Sequence, residues 1–290
     1  MSWLRIVVDA NRDEGPAIET VLQQHGAVSV SFEDRADEPV FELLPGETPL
    51  WSEIRVTGLF PGDALAPAIL TAIKTALGHT LVDSRVELLA DQDWERVWLD
   101  RFQPTRVGHN LWICPTHMDP PDPDAVTIFI DPGLAFGSGT HPTTAMCLDW
   151  LSRQDLRDRT VLDYGCGSGI LAIAALKLGA REAWGVDIDP RALDVASDNA
   201  RTNDVGGRFH TCLPQDLATK DFDVLVANIL SGPLIALSGT FHGLIVPNGL
   251  IALSGILAAQ ADEVADAYAS GFRLVSRQQD GWTLLSGARV

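Results

Sequence analysis

Between Val161 and Leu171 the chain reads Val-Leu-Asp-Tyr-Gly-Cys-Gly-Ser-Gly-Ile-Leu, an apolar stretch that enters a glycine-packed turn and leaves as a helix. Eighteen residues past Gly169 stands Asp187, in Gly185-Val186-Asp187-Ile188-Asp189-Pro190, at the end of the next strand-like run. Strand, glycine turn and a second strand ending in a carboxylate make up half of a nucleotide-binding crevice. The carboxylate suits ribose hydroxyls, and the glycines allow close backbone approach to a ligand. The spacing here is G-x-G-x-G, and Ile170 stands where a dinucleotide fingerprint needs its third glycine.

The surroundings extend that unit into a sheet. From about residue 125 onward, strand patterns at 125–130, 160–164, 183–187, 207–211, 223–228, 249–254, 272–277 and 281–286 alternate with helical patterns at 142–152, 169–179, 190–203, 232–242 and 258–270. Repeated βα units predict a parallel, doubly wound sheet. Asp189-Pro190 supplies an N-cap and a first-position proline to the third helix. Gln279-Asp280-Gly281 is too short for a crossover, so the last two strands are expected to pair antiparallel.

Upstream, the pattern is βαββαβ: strands at 3–9, 27–33, 51–58 and near 80–89, helices at 13–25 and after Pro61-Gly62-Asp63, with an extra short strand at 39–43. This order predicts a ferredoxin-like α+β domain over 1–90. In 91–124, Trp94, Trp98 and Phe102 lie four apart on one face of a helix stopped by Pro104. A proline-rich loop follows at 115–123. We read 91–124 as a linker helix and loop whose aromatic stripe packs between domains, and 125–290 as the second domain.

Net charge is −18, and the first ninety residues alone carry −8, which argues against direct binding to a nucleic-acid backbone and suits a basic partner. No run is long and apolar enough to span a bilayer, and no signal-peptide pattern opens the chain. Cys114, Cys147, Cys166 and Cys212 are widely spaced, so neither a metal site nor a disulfide framework is expected. The expectation is a cytoplasmic protein with no membrane attachment, and a monomer.

A dinucleotide site aims helix N–H groups at a pyrophosphate. Asp163, just ahead of Gly165, would repel one. It suits the cationic end of S-adenosylmethionine, which carries an adenine, a ribose, an amino-acid end and a sulfonium but no phosphate. Gly165, Gly167 and Asp187 complete that cofactor reading. At the end of the fourth strand of the series, Asn228 in Val226-Ala227-Asn228-Ile229-Leu230 offers a side-chain carbonyl to a substrate amine. Its competing role is to cap the helix near Gly232. A third segment, Asp131 to Thr144, has three glycines in a loop suited to fold over a ligand. There Phe136 is a candidate to face an adenine or the methyl channel, and Thr144 to bond the cofactor. His141 is either a general base or a capping group.

Asp131–Thr144, Val161–Leu171, Gly185–Pro190 and Asn228–Leu230 together resemble the signatures of the ribosomal protein L11 methyltransferases. So do Asp93-Trp94-Glu95 with Trp98 and Phe102, Leu111–Pro115, Leu253–Leu257 and, weakly, Leu44–Thr48, so the resemblance covers nearly the whole chain. Ser138 stands where the family often has Thr. The resemblance implies a class I methyltransferase sheet, with Thr144, Gly165, Asp187 and Asn228 contacting S-adenosylmethionine. It also implies an N-terminal domain that recognises the ribosomal protein, a connecting segment that lets it swing, and multiple methylation of lysine side chains and of the N-terminal α-amine.

Such a reaction needs a neutral amine. A lysine with pKa near 10.4 is neutral about once in 2,500 at pH 7, a cost of about 4.6 kcal/mol, against about 1 kcal/mol for an α-amine. A desolvated pocket lowers the first figure, and alignment contributes further. Three rivals use the same residues: an NAD-dependent oxidoreductase, a methyltransferase acting on another protein or on a base amine, and a binding module holding the cofactor as a structural ligand.

Overall fold

The computed structural model describes residues 2–36, 51–81, 83–89, 103–108, 110–131, 141–217 and 221–290. The chain divides into two compact units, Met1–Trp94 and Glu95–Val290. The short strand expected at 39–43, the aromatic stripe of Trp94, Trp98 and Phe102, and the loop holding Phe136 and Ser138 lie outside the described residues.

The first unit runs β1 (Trp3–Asn11), α1 (Gly15–Gln24), β2 (Ser29–Asp34), β3 (Glu53–Pro61), α2 (Ala66–Leu77) and β4 (Asp83–Leu89). Its sheet order is β2-β3-β1-β4, with every neighbouring pair antiparallel. That is the arrangement of a split βαβ fold. Strand alternation sorts the two faces. Leu4, Ile6 and Val8 of β1 and Ile54, Val56 and Phe60 of β3 meet Ile18 and Leu22 of α1 and Ile69 and Ile73 of α2. The intervening residues carry charge: Arg5 donates to Glu87 (3.1 Å), and Arg55 to Asp9 (2.8 Å). The Arg55 hydrogen bond holds the Asp9 carboxyl below its ordinary range in spite of its burial.

In the second unit, β5 (Thr105–Val107), β6 (Leu111–Cys114) and β7 (Val126–Phe129) form a three-stranded sheet of their own. Two elements of the 91–124 segment are therefore strands. The strand expected at 125–130 pairs in parallel with β6 and does not join the large sheet as its βα pattern suggested. Asn203 locks it in place: Phe129 N–H donates to Oδ1 (2.7 Å), and Nδ2 donates to Phe129 O (2.7 Å). One buried amide thus replaces a neighbouring strand. Asn203→Ala leaves both backbone groups of Phe129 without that partner, and should lower stability by about 3 kcal/mol in denaturant titration.

The large sheet contains β8 (Thr160–Tyr164), β9 (Glu182–Val186), β10 (Phe209–Cys212), β11 (Phe222–Asn228), β12 (Ile245–Leu257), β13 (Phe272–Gln279) and β14 (Trp282–Arg289). Their order is β10-β9-β8-β11-β12-β14-β13. Pairings from β10 to β12 are parallel, and β14 runs antiparallel to both of its neighbours. The sheet is doubly wound. Val161, Val224 and Val226 pack on the side of α3 (Pro142–Ser152), α4 (Ile170–Lys177) and α5 (Pro190–Thr202). Leu162, Leu225 and Ala227 face α6 (Ser231–Ala236), α7 (Ser238–Leu244) and α8 (Ala261–Tyr268). The single helix expected at 232–242 is broken at Leu237 into α6 and α7. The final hairpin closes on Asp280 and Gly281, with φ of +51° and +80°. Both central residues in that region mark a type I′ turn, whose twist matches the strands it joins.

Candidate active site

The strands whose ends carry the predicted residues are neighbours. Asp163 of β8 lies beside Gly185 of β9 and Val226 of β11. From β8 the chain winds to β9 and β10 on one side, then returns to β11 and β12 on the other. The carboxyl ends of β8 and β11 are therefore the switch point, where an open sheet holds its ligand.

One carbonyl anchors the glycine turn: Val186 O accepts from Gly165 N–H (2.7 Å) and Cys166 N–H (3.0 Å). Gly165, Gly167 and Gly169 have φ of +78°, +51° and +78°, backbone that side chains of L-residues resist. Asp187 closes the turn from the β9 side. Its Oδ2 accepts from Gly167 N–H (2.9 Å) and its Oδ1 from Asp189 N–H (3.0 Å). Asn199 of α5 adds a bond to Ser168 O (2.9 Å) that the sequence did not single out, since a mid-helix Asn has no distinguishing pattern.

Asp163 is 1% exposed. Its Oδ2 accepts from Ala172 N–H in the first turn of α4 (3.0 Å), and its Oδ1 has no partner among the described residues. Burial pushes this carboxyl up to about 7; the Ala172 bond opposes the shift and the neighbouring Asp187 adds to it. Burial also raises the Cys147 thiol to about 12 and drives Cys166 up further. The site thus contains a desolvated carboxyl group with no counter-charge among the described residues, set among inert thiols.

Asn228 ends β11 opposite Ser254 of β12. Its Nδ2 donates to Oγ1 of Thr144 (3.1 Å), a residue buried on α3. With the amide nitrogen engaged, Oδ1 is left as an acceptor at the mouth of the crevice. Asn228 does not cap the following helix: the N-cap of α6 is Leu230, with no side-chain bond. His141 does cap. Its Nδ1 lies 2.7 Å from Thr143 Oγ1 and 3.4 Å from Thr143 N, and its ring stands edge-on to Trp282 with centroids 4.9 Å apart. Phe136 cannot be placed with these residues, lying outside the described ones.

Two further positions were missed. At Gly185 of β9 a Cβ would fall 2.7 Å from Phe209 Cζ and 3.0 Å from Cys166 Sγ, so this glycine admits the turn's own side chain. At Gly255 of β12 (φ +82°) a Cβ would fall 2.4 Å from Ile229 O. A glycine inside a strand marks a bulge or a close approach, and that was the available signal. Among the described residues, no three His, Cys, Asp or Glu side chains gather as a metal site.

A glycine cradle, a ribose-height carboxylate and a buried carboxylate awaiting a cation fit a ligand with a nucleoside, a positive end and no phosphate. Comparison with known proteins agrees. The sequence model described as ribosomal protein L11 methyltransferase (PrmA) matches residues 2–290. The chain is 51% identical to the ribosomal protein L11 methyltransferase of Pseudomonas aeruginosa strain PAO1, covering 100% of this chain and 99% of that protein. It is 50% identical to that of Azotobacter vinelandii, with 100% of both covered. Among solved structures, the ribosomal protein L11 methylase of Lactobacillus delbrueckii subsp. bulgaricus superposes with a TM-score of 0.59 at 32% identity, over 65% of this chain and 99% of that one.

Proposed function

The chain belongs to the ribosomal protein L11 methyltransferase family, and from that premise we propose that it transfers methyl groups from S-adenosylmethionine to lysine side chains and the N-terminal α-amine of ribosomal protein L11. The observation that carries this reading is the Thr144–Asn228 bond, which leaves a carbonyl oxygen at the strand end beside the cofactor turn. When bound, S-adenosylmethionine supplies an electrophilic methyl group on a sulfonium. The chain has to hold it and present a neutral amine.

Gly165 and Gly167 would form its cradle, Asp187 would take its ribose hydroxyls, and Asp163, whose Oδ1 has no partner among the described residues, would hold its cationic amino-acid end. Thr144 and Asn228 would border the methyl. Asn228 Oδ1 accepts from one N–H of the substrate amine and so aims its lone pair at the methyl. No side chain is required as a dedicated base: water takes the proton. His141 serves as the cap that fixes the start of α3, and through it Thr144, since its Nδ1 is already engaged. The same site accepts a methylated amine again, because an acceptor oxygen needs only one remaining N–H.

The N-terminal domain recognises the basic ribosomal protein, consistent with its −8 charge, and the enzyme works in the cytoplasm as a monomer without touching nucleic acid directly. The alternative of a structural ligand predicts no transfer. Methyl-labelled cofactor incubated with ribosomal particles from a strain lacking the enzyme should label one protein. Mass spectrometry should place the label on lysine and α-amino nitrogen of L11. Label in RNA or in another protein, or no label, would overturn the assignment.

A further inference from the structure

Ile229, the residue after Asn228, is held between two glycines from different parts of the sequence. Its side chain lies on Gly165: a Cβ there would fall 2.2 Å from Ile229 Cγ2 and 3.7 Å from Ile229 Cβ. Its backbone lies on Gly255, where a Cβ would fall 2.4, 2.8 and 3.0 Å from Ile229 O, C and N. Ile229 N–H donates to Ser254 O (3.1 Å), extending the β11–β12 ladder one step past Asn228. The β12–β14 register shifts between Leu253 and Ile256, which places the Gly255 irregularity in the segment facing Ile229. Both glycines have φ in the left-handed region, so neither position is chosen by chance of composition.

We propose that Ile229 is a positioning residue that sets the distance between the glycine turn and the Asn228 carboxamide, so that the methyl donor and the amine acceptor are held as one unit. The proposal rests on the methyltransferase reading above. Its side chain spans the gap to the turn, while its peptide, pinned by Ser254 and Gly255, fixes the residue before it. The interior is close-packed, so a rigid wedge transmits placement where a flexible one does not. A displacement of about 1 Å costs about a hundredfold in rate when reacting atoms must align.

Six variants test it, each measured for S-adenosylhomocysteine Kd, for kcat and KM with the protein substrate, and for melting temperature. Ile229→Ala should bind S-adenosylhomocysteine within about threefold of wild type yet lose at least tenfold in kcat, and Ile229→Val, which keeps Cγ2, should restore kcat. Gly165→Ala should weaken S-adenosylhomocysteine by at least thirtyfold, and Gly165→Ala/Ile229→Ala should recover at least fivefold of that, because the clash is with one methyl group. A Gly255→Ala chain should gain nothing from Ile229→Ala, its clash being with backbone. Wild-type kcat in Ile229→Ala, or a double variant no better than Gly165→Ala, would overturn the proposal. If Gly165→Ala fails to fold, the Ala and Val pair at 229 still decides. A wild-type chain that neither binds S-adenosylhomocysteine nor transfers a methyl group would sink the methyltransferase reading itself.

Discussion

Asn228→Ala should lower kcat by about a hundredfold or more, the range seen when one preorganised polar contact to a reacting group is removed. S-adenosylhomocysteine should still bind, within about tenfold, because the glycine turn and Asp187 are built without Asn228. The two effects separate because Asn228 Oδ1 is aimed by the bond from Nδ2 to Thr144 and serves alignment of the amine. Thr144→Val tests that division of labour. It keeps the acceptor but frees the amide to rotate, so its loss in kcat should be smaller, about tenfold. Steady-state kinetics on the protein substrate with calorimetric cofactor binding would decide. Wild-type turnover in Asn228→Ala with the cofactor bound would remove Asn228 from the mechanism.

Cofactor affinity should depend on pH through Asp163, and Asp163→Asn should abolish that dependence along with most of the affinity. The Asp163 carboxyl is raised from its usual 3.8 to about 7, and Asp187, Cys147 and Cys166 are the titratable groups near it. A cationic ligand pairs with the ionised form, so binding expels a proton. Below about pH 7, S-adenosylhomocysteine should therefore weaken toward tenfold per unit, levelling off above it. A lost charge-assisted bond corresponds to about ten- to a hundredfold in Asp163→Asn. Stability has the opposite sign. A raised carboxyl favours the folded state fully below pH 3.8, and that contribution is lost as pH rises through about 7. The ligand-free Asp163→Asn protein should consequently melt higher than wild type at pH 8. A pH-independent Kd in wild type, or a lower melting point in the variant at pH 8, would refute this account.

The βα series from Thr160 to Asn228 was legible because each element is announced locally: β-branched and leucine-rich strands, glycines at the turn, Asp189-Pro190 at a helix start. The position of Val126–Phe129 was not. Its pattern is that of any buried strand, and nothing local states that its partners are β6 and the side chain of Asn203. The break between α6 and α7 falls at Leu237, a good helix former, so it has no mark in the sequence. At the site, the residue types were readable and their environments were not. Asp163 was visible as an acid near the cofactor, whereas its desolvation depends on packing contributed by the rest of the domain, and the Ala172 N–H that opposes the shift comes from a separate element. Ile229 looked like one more apolar residue at a strand end. Its importance comes from Gly165 and Gly255, which are ninety positions apart.

The placement of β14 bears on how the chain is made. A ribosome synthesises β13 before the strand that joins it to β12, because β14 lies between them. Until Trp282 to Arg289 emerge, β12 presents an unpaired edge and β13 has no seat in the sheet. Ser254 Oγ likewise has no Thr283 carbonyl to bond, although Ser254 is the residue that holds Ile229. A chain trimmed of residues 282–290 should therefore be aggregation-prone, not merely a slower enzyme.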